Sequence, residues 1–219
     1  MKVCLVSLPL LFLNLGCAVS HSVGVNGYSS TGQALEIPEG VSICVVTDSN
    51  APNPLLEREI GNKIRTLLEN RGYSAGTSQP GYYLIFKYGI DSGRPVMDSF
   101  PIRHPTDYWG HSGIHTPGYV TYVPHWQLVY TRWLVLTLMA GDTYRTLRTA
   151  DPVWIGEATS VGSSPDLREI VDYMLIAALE HFGEDTGKRV TEAIPKGDER
   201  VELLRERQVG SVSPNAAFH

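Results

Sequence analysis

The sequence has few cysteines and no concentration of charge. Only Cys4, Cys17 and Cys44 occur among 219 residues, so no disulfide framework staples this fold. Lys and Arg total 18 against 23 Asp and Glu, a formal net charge of -5, and no basic cluster stands out. Nucleic-acid binding rests on neutralising phosphates, so no nucleic-acid partner is expected, and a polybasic membrane patch is missing for the same reason. No apolar run reaches the length of a bilayer-spanning helix. Nucleophile elbows, His-Glu-x-x-His zinc helices, phosphate loops, dinucleotide glycine fingerprints and Cys-x-x-Cys pairs are all missing. No cofactor and no enzymatic activity are therefore expected, and nothing identifies a small-molecule substrate.

What is present is globular. The chain is 42% hydrophobic and 19% charged, a composition that supports one cored domain with tails. Met1-Lys2 and the apolar stretch Val3 to Leu15 form a short basic start and a secretory core, followed by Gly16-Cys17. The ending LFLNLGC resembles a bacterial lipoprotein signal over residues 1–16, with Cys17 as the lipid-modified (palmitate-bearing) first residue. Asn14 departs from the apolar residue usual three places before that Cys. Cleavage after Ala18, with small residues at Gly16 and Ala18, is the alternative. An exported, membrane-anchored protein follows from the first reading. Ala18 lacks the acidic side chain that favours inner-membrane retention, which points to the periplasmic face of the outer membrane.

Residues 17–40, rich in Ser and Gly without a period, read as a flexible tether. A domain over 41–187 follows. VSICVVT reads as a strand buried on both faces, with Cys44 a small core residue rather than a catalytic thiol. PNPLLEREIGNKIRTLLENRGY reads as a helix capped by Asn53, started by Pro54 and stopped by Gly72. Leu56, Ile60, Ile64, Leu67 and Leu68 form its apolar stripe. YYLIFKYGI is the next strand, and residues 91–118 are an insert without a period. WQLVYTRWLVLTLMA is a strand with Leu128, Tyr130, Leu134, Leu136 and Leu138 on one face. A hairpin turn is expected at Gly141-Asp142, with TYRTLRT returning as a strand. PVWIGEATSV adds another strand, in which alternation accounts for Glu157. A second helix is expected after a Ser164 cap and Pro165, with Gly183 closing it. Residues 188–219 read as a polar tail, with a short exposed charged helix over 199–208.

The order is β-α-β-insert-β-β-β-α. The expected fold class is α+β, a two-layer sandwich of a mostly antiparallel sheet with two amphipathic helices on one face. With Cys17 ahead of the tether, the first helix, a hairpin around Ala140-Gly141-Asp142 and the Trp154-x-Gly156-x-Ala158 strand, the chain resembles the bacterial envelope lipoproteins of the domain of unknown function 4136 type over about residues 41–185. The resemblance implies an α+β domain held at a membrane, without an established activity and with no catalytic residue to carry over. The insert is richer in His and aromatics than that pattern, and the tail runs past its end.

The insert holds the one constellation with chemical potential, HPTDYWGHSGIH. His104, Asp107, His111, His115 and, further on, His125 are the candidate metal ligands, since neutral imidazoles and a carboxylate suit zinc. Gly110, Gly113 and Pro117 oppose the helix that would align His111 with His115. A Ser112, His111, Asp107 set fails because adjacent residues rarely meet in triad geometry. Tyr108, Trp109, Tyr119, Tyr122 and Trp126, with Arg94 and Arg103 nearby, are candidate interface anchors. The expected function is that of a membrane-anchored envelope lipoprotein with a non-enzymatic binding or structural role toward an envelope protein or the cell wall. The alternative is a metal-binding or metal-dependent hydrolytic protein using the His-rich insert.

Overall fold

The computed structural model describes residues 19–76, 79–104, 118–147 and 151–210. Over these residues the fold is α+β, with a mostly antiparallel, curled seven-stranded sheet and four α-helices. The strands are β1 Ser20–Ser29, β2 Ile43–Val46, β3 Tyr82–Ile90, β4 Arg94–His104, β5 Tyr119–Ala140, β6 Pro152–Gly162 and β7 Val190–Pro195. The helices are α1 Pro54–Asn70, α2 Gly141–Leu147, α3 Val171–Glu180 and α4 Glu199–Gly210. The sheet runs β2-β3-β5-β6-β1-β7, and β4 pairs with β5 off this path. Among the described strands β2 and β3 alone pair in parallel, joined through α1, because a parallel pair needs a long crossover whereas the other neighbours can reverse.

Local chemistry explains α1. The Asn53 side chain accepts the Leu56 N–H at 3.1 Å, and Pro54 sits where a missing donor costs nothing. Gly72 ends the run with φ +85°, a left-handed turn that favours glycine. Ile60, Ile64, Leu67 and Leu68 are buried, and Leu56 packs against them from a half-exposed position. Full burial of one such side chain is worth roughly 1.5–3 kcal/mol. In α3 every residue from Val171 to Leu179 is buried, as expected of a helix enclosed on all sides. It packs against β1, β5 and β6 and against α1 and α4. The Trp154-x-Gly156-x-Ala158 pattern is explained by packing. Trp154 and Ala158 are buried in the core, the Trp154 indole N–H donates to the Glu184 carbonyl at 2.9 Å, and a Cβ at Gly156 would collide with the Trp154 ring.

Several expectations are corrected. The 17–40 segment is not a free tether over its described part. Ser20 to Ser29 forms β1, between β6 and β7, with Val23 and Val25 fully buried. The glycines that suggested a linker serve close approach instead. A Cβ at Gly24 would collide with the Arg189 side chain, and one at Gly27 with the Glu184 carbonyl. Leu35 and Ile37 also pack against the core. The 188–219 segment is not merely a polar tail. Val190–Pro195 pairs with β1 as β7, and α4 buries Val201 and Leu204. Instead of a hairpin turn and a returning strand, Gly141–Leu147 is α2, so tertiary context overrides the β preference of Thr and Tyr. The Ser164 cap is displaced as well. Asp166 caps a single 3₁₀ turn over Leu167–Glu169, and α3 starts only at Val171. β2 buries Ile43 and Val45 on one face, while Cys44, on the other, is half-buried.

Candidate functional site

The described part of the 91–118 insert is ordered as a strand. β4 pairs with the first half of β5 in eleven consecutive antiparallel pairs, from Arg94↔Val129 to His104↔Tyr119. β3 leaves β5 at Arg132 and β6 leaves it at Tyr130. Beyond that point β4 and β5 continue as a two-stranded ribbon, about 35 Å long at the usual rise per residue. Its root is clamped by Asp91, whose Oδ1 accepts the N–H groups of Thr131 and Gly93, each at 3.0 Å. Those backbone donors, the Thr131 one foremost, hold the Asp91 carboxyl below its ordinary pKa. Gly93 takes φ +77°, and a Cβ there would lie 2.7 Å from the Tyr130 ring.

The pairing sorts the ribbon's side chains into two faces. Met97, Tyr122, Trp126 and Leu128 share one face, the same side of β5 as the core residues Leu134 and Leu136. Phe100, Ile102, Tyr119 and Val123 share the other with His104 and His125. The rings contact each other as this register requires. His104 stacks on Tyr119 at 4.6 Å, and His125 tilts against Phe100 at 5.2 Å. Both faces are exposed, Trp126 at 65% on the first and Tyr119 at 58% on the second. A two-stranded ribbon alone is marginal in water, and an exposed apolar surface this continuous is characteristic of an interaction site.

Its edges are treated differently from its faces. Pro95, Pro101 and Pro124 fall in the pairs 95/128, 101/122 and 99/124. All three pairs belong to the same alternating class, the one whose N–H groups point away from the partner strand. The prolines therefore sacrifice no ladder bond, and each removes an outward donor from a ribbon edge. Strand addition along either edge is hindered, which leaves the side-chain faces for contact.

The expected metal ligands do not converge where they are described. His104 sits opposite Tyr119 and His125 opposite Asp98. Six residues of strand separate those positions, about 20 Å, while zinc takes donors about 2 Å from itself. Among the described residues no group of three or more His, Cys, Asp or Glu side chains could hold a metal ion. Asp107, His111, His115, Tyr108, Trp109 and the lipidation candidate Cys17 lie outside the described residues. Of the other interface candidates, Tyr119 faces away from Tyr122 and Trp126, so these do not form one patch.

No family model and no curated protein matches the chain. Among solved structures, a PDZ domain protein from Parabacteroides distasonis resembles it with TM-score 0.46 and 12% identity, over 80% of this chain and 39% of that one. The chain thus spans well under half the length of that relative. Two PelC dodecamer structures from Paraburkholderia phytofirmans each give TM-score 0.40, at 14% and 11% identity, over 74% of this chain and 98% of theirs. Likenesses this weak carry no functional argument.

Sequence reasoning missed Met97 and Phe100, since two prolines in RPVMDSFPIRH disguise β4, and it grouped Leu128 with the core leucines of β5 although the ribbon leaves it exposed. It also passed over Arg132, a charge set between Tyr130 and Leu134 on the apolar face of β5. That interruption was a readable signal.

Proposed function

We propose that this chain is a lipid-anchored bacterial envelope protein, held through Cys17 on the periplasmic face of the outer membrane, whose β4–β5 ribbon binds another envelope protein without catalysing a reaction. The observation that carries the binding role is the ribbon itself, with apolar side chains exposed on both faces and edges blunted by proline. Aromatic and Met side chains are the usual anchors of such contacts. The anchor rests on the short apolar start and LFLNLGC. The reading keeps the resemblance to the domain of unknown function 4136 type. It also takes the domain as a two-layer sandwich with α1 and α3 on one sheet face. One continuous core joining Ile60, Leu68 and Met174 to Leu84, Leu136 and Ala158 supports that arrangement.

Two measurements test it. Cys17→Ser should move the protein from the membrane to the soluble envelope fraction, and retention at the membrane would refute the anchor. A photo-cross-linker at Tyr122 should capture a protein band that Trp126→Glu with Leu128→Glu abolishes. Identical cross-links in both, or capture of cell-wall fragments alone, would refute the protein-binding role.

A further inference from the structure

Where the ribbon joins the body, β5, β6, β1 and the loop at 163–164 surround a cleft of about 410 Å³. Arg132 forms part of its wall and is 5% exposed. A guanidinium is charged at any physiological pH, and burying a charge is costly unless it is paired. Among the described residues Arg132 is hydrogen-bonded only to neutral groups. Its Nη1 donates to the Ser164 carbonyl at 3.2 Å and its Nη2 to the Ser160 hydroxyl at 3.3 Å. Ser160 in turn donates to the Ser22 carbonyl at 3.3 Å. Nε is closed off from solvent and has no partner. No described carboxylate lies within ion-pair distance of Arg132. Glu169, on the cleft wall, acts on it only from further away. Burial accordingly pushes the Arg132 guanidinium below its ordinary pKa.

The rest of the cleft suits a negative guest. After its two bonds each Nη retains one N–H. Ser20 and Ser22 of β1 and Ser163 and Ser164 of the loop also line the opening. Gly162 leaves space for the guanidinium, since a Cβ there would lie 2.6 Å from Nη2. His21 completes one wall, packed at 4.2 Å on Tyr173. Burial first, then the positive charges of Lys196, Arg132 and Arg205, lowers the His21 pKa against a smaller opposing pull from Glu169, so positive charge predominates around the ring.

We infer that the Arg132 cleft is an oxyanion site that takes the carboxylate or phosphate group of a small ligand. The guest supplies the countercharge that Arg132 lacks, and the Ser163 hydroxyl on the exposed rim donates to a remaining oxygen. This inference is independent of the ribbon's partner, and either can fail without the other.

Calorimetric titration of the full chain with inorganic phosphate and, separately, with acetate tests it. Saturable one-to-one binding is expected for at least one probe, and whichever binds tighter assigns the ligand class. Arg132→Gln should weaken that binding at least tenfold. Should this variant fail to fold, Ser163→Glu serves instead, because it places a competing carboxylate at an exposed position on the rim and should weaken binding by a similar factor. No saturable binding in the wild type, or undiminished affinity in a folded variant, would reduce Arg132 to a strut between β5 and the 163–164 loop.

Discussion

Lys63 Nζ of α1 lies 2.6 Å from Asp172 Oδ1 of α3, and the two side chains are only 4% and 3% exposed. Glu59 approaches the same Nζ at 2.8 Å, and Arg205 of α4 reaches the other Asp172 oxygen at 3.5 Å. One buried carboxylate therefore joins three helices. Asp172 Oδ1 has no well-angled hydrogen bond, so the contact with Lys63 is mainly charge on charge. Lys63→Met removes the cation and leaves Asp172 buried beside a more distant arginine. Urea unfolding should show a loss of about 3–5 kcal/mol. Replacing both residues together, as Lys63→Met with Asp172→Leu, should recover much of it. A double variant no more stable than Lys63→Met would show that the pair is not a unit.

His181 follows the last residue of α3 and bridges two carboxylates, Nδ1 to Glu184 at 2.7 Å and Nε2 to Glu192 at 2.9 Å. Burial opposes its charge, but the hydrogen bonds to Glu184 and Glu192 outweigh that, and its pKa is raised above the ordinary value of 6.5. A raised folded pKa means the stabilisation is complete below about pH 6.5 and disappears as pH climbs through the folded value. His181→Gln should therefore be less stable than the wild type at pH 5.5 and close to it at pH 9. Denaturant midpoints across that range check the sign. A constant gap would remove the protonated bridge from the account.

Asp91 anchors the ribbon with a pKa held below the ordinary carboxylate range. For a lowered pKa the benefit is present above the unfolded value of about 4 and is lost as pH falls through the folded one. Asp91→Ala should raise amide exchange at Thr131 and Gly93 while leaving the β3–β5 ladder protected. Unchanged exchange at those two amides would show that the pairing alone fixes the root.

Gly27 places the middle of β1 against the Glu184 carbonyl, where a Cβ has no room. Gly27→Ala should cost about 1–3 kcal/mol through backbone displacement, measured by thermal unfolding. A chain begun at Val41 should fail to fold cooperatively, because β6 and β7 would lose the strand between them. A cooperative transition in that shortened chain would show that β1 is dispensable.

These contacts indicate which features were readable in advance. α1 was, because its cap, its Pro54 start, its stripe and its Gly72 stop all act within a few residues of one another. β3 was readable from its β-rich composition, and the body of β5 and β6 through period-two alternation. The ribbon was legible as aromatic content around Tyr122 and Trp126, but its two faces were not, because facing depends on which β4 residue stands opposite each β5 residue.

The sequence by itself determined the local terms: helix caps and stops, apolar alternation, the lack of disulfide staples and the signal-like start. The tertiary structure alone decided that SHSVGVNGYS is an interior strand, that GDTYRTL is a helix and that VTEAIP closes the sheet beside β1. It also brought Arg132 of β5, Ser160 of β6 and Ser164 of the following loop together without a carboxylate partner. The reason is physical. Caps and periodicity are set by neighbours along the chain, whereas glycine packing, edge pairing and the burial of an unpaired charge depend on segments that meet only after the chain has folded.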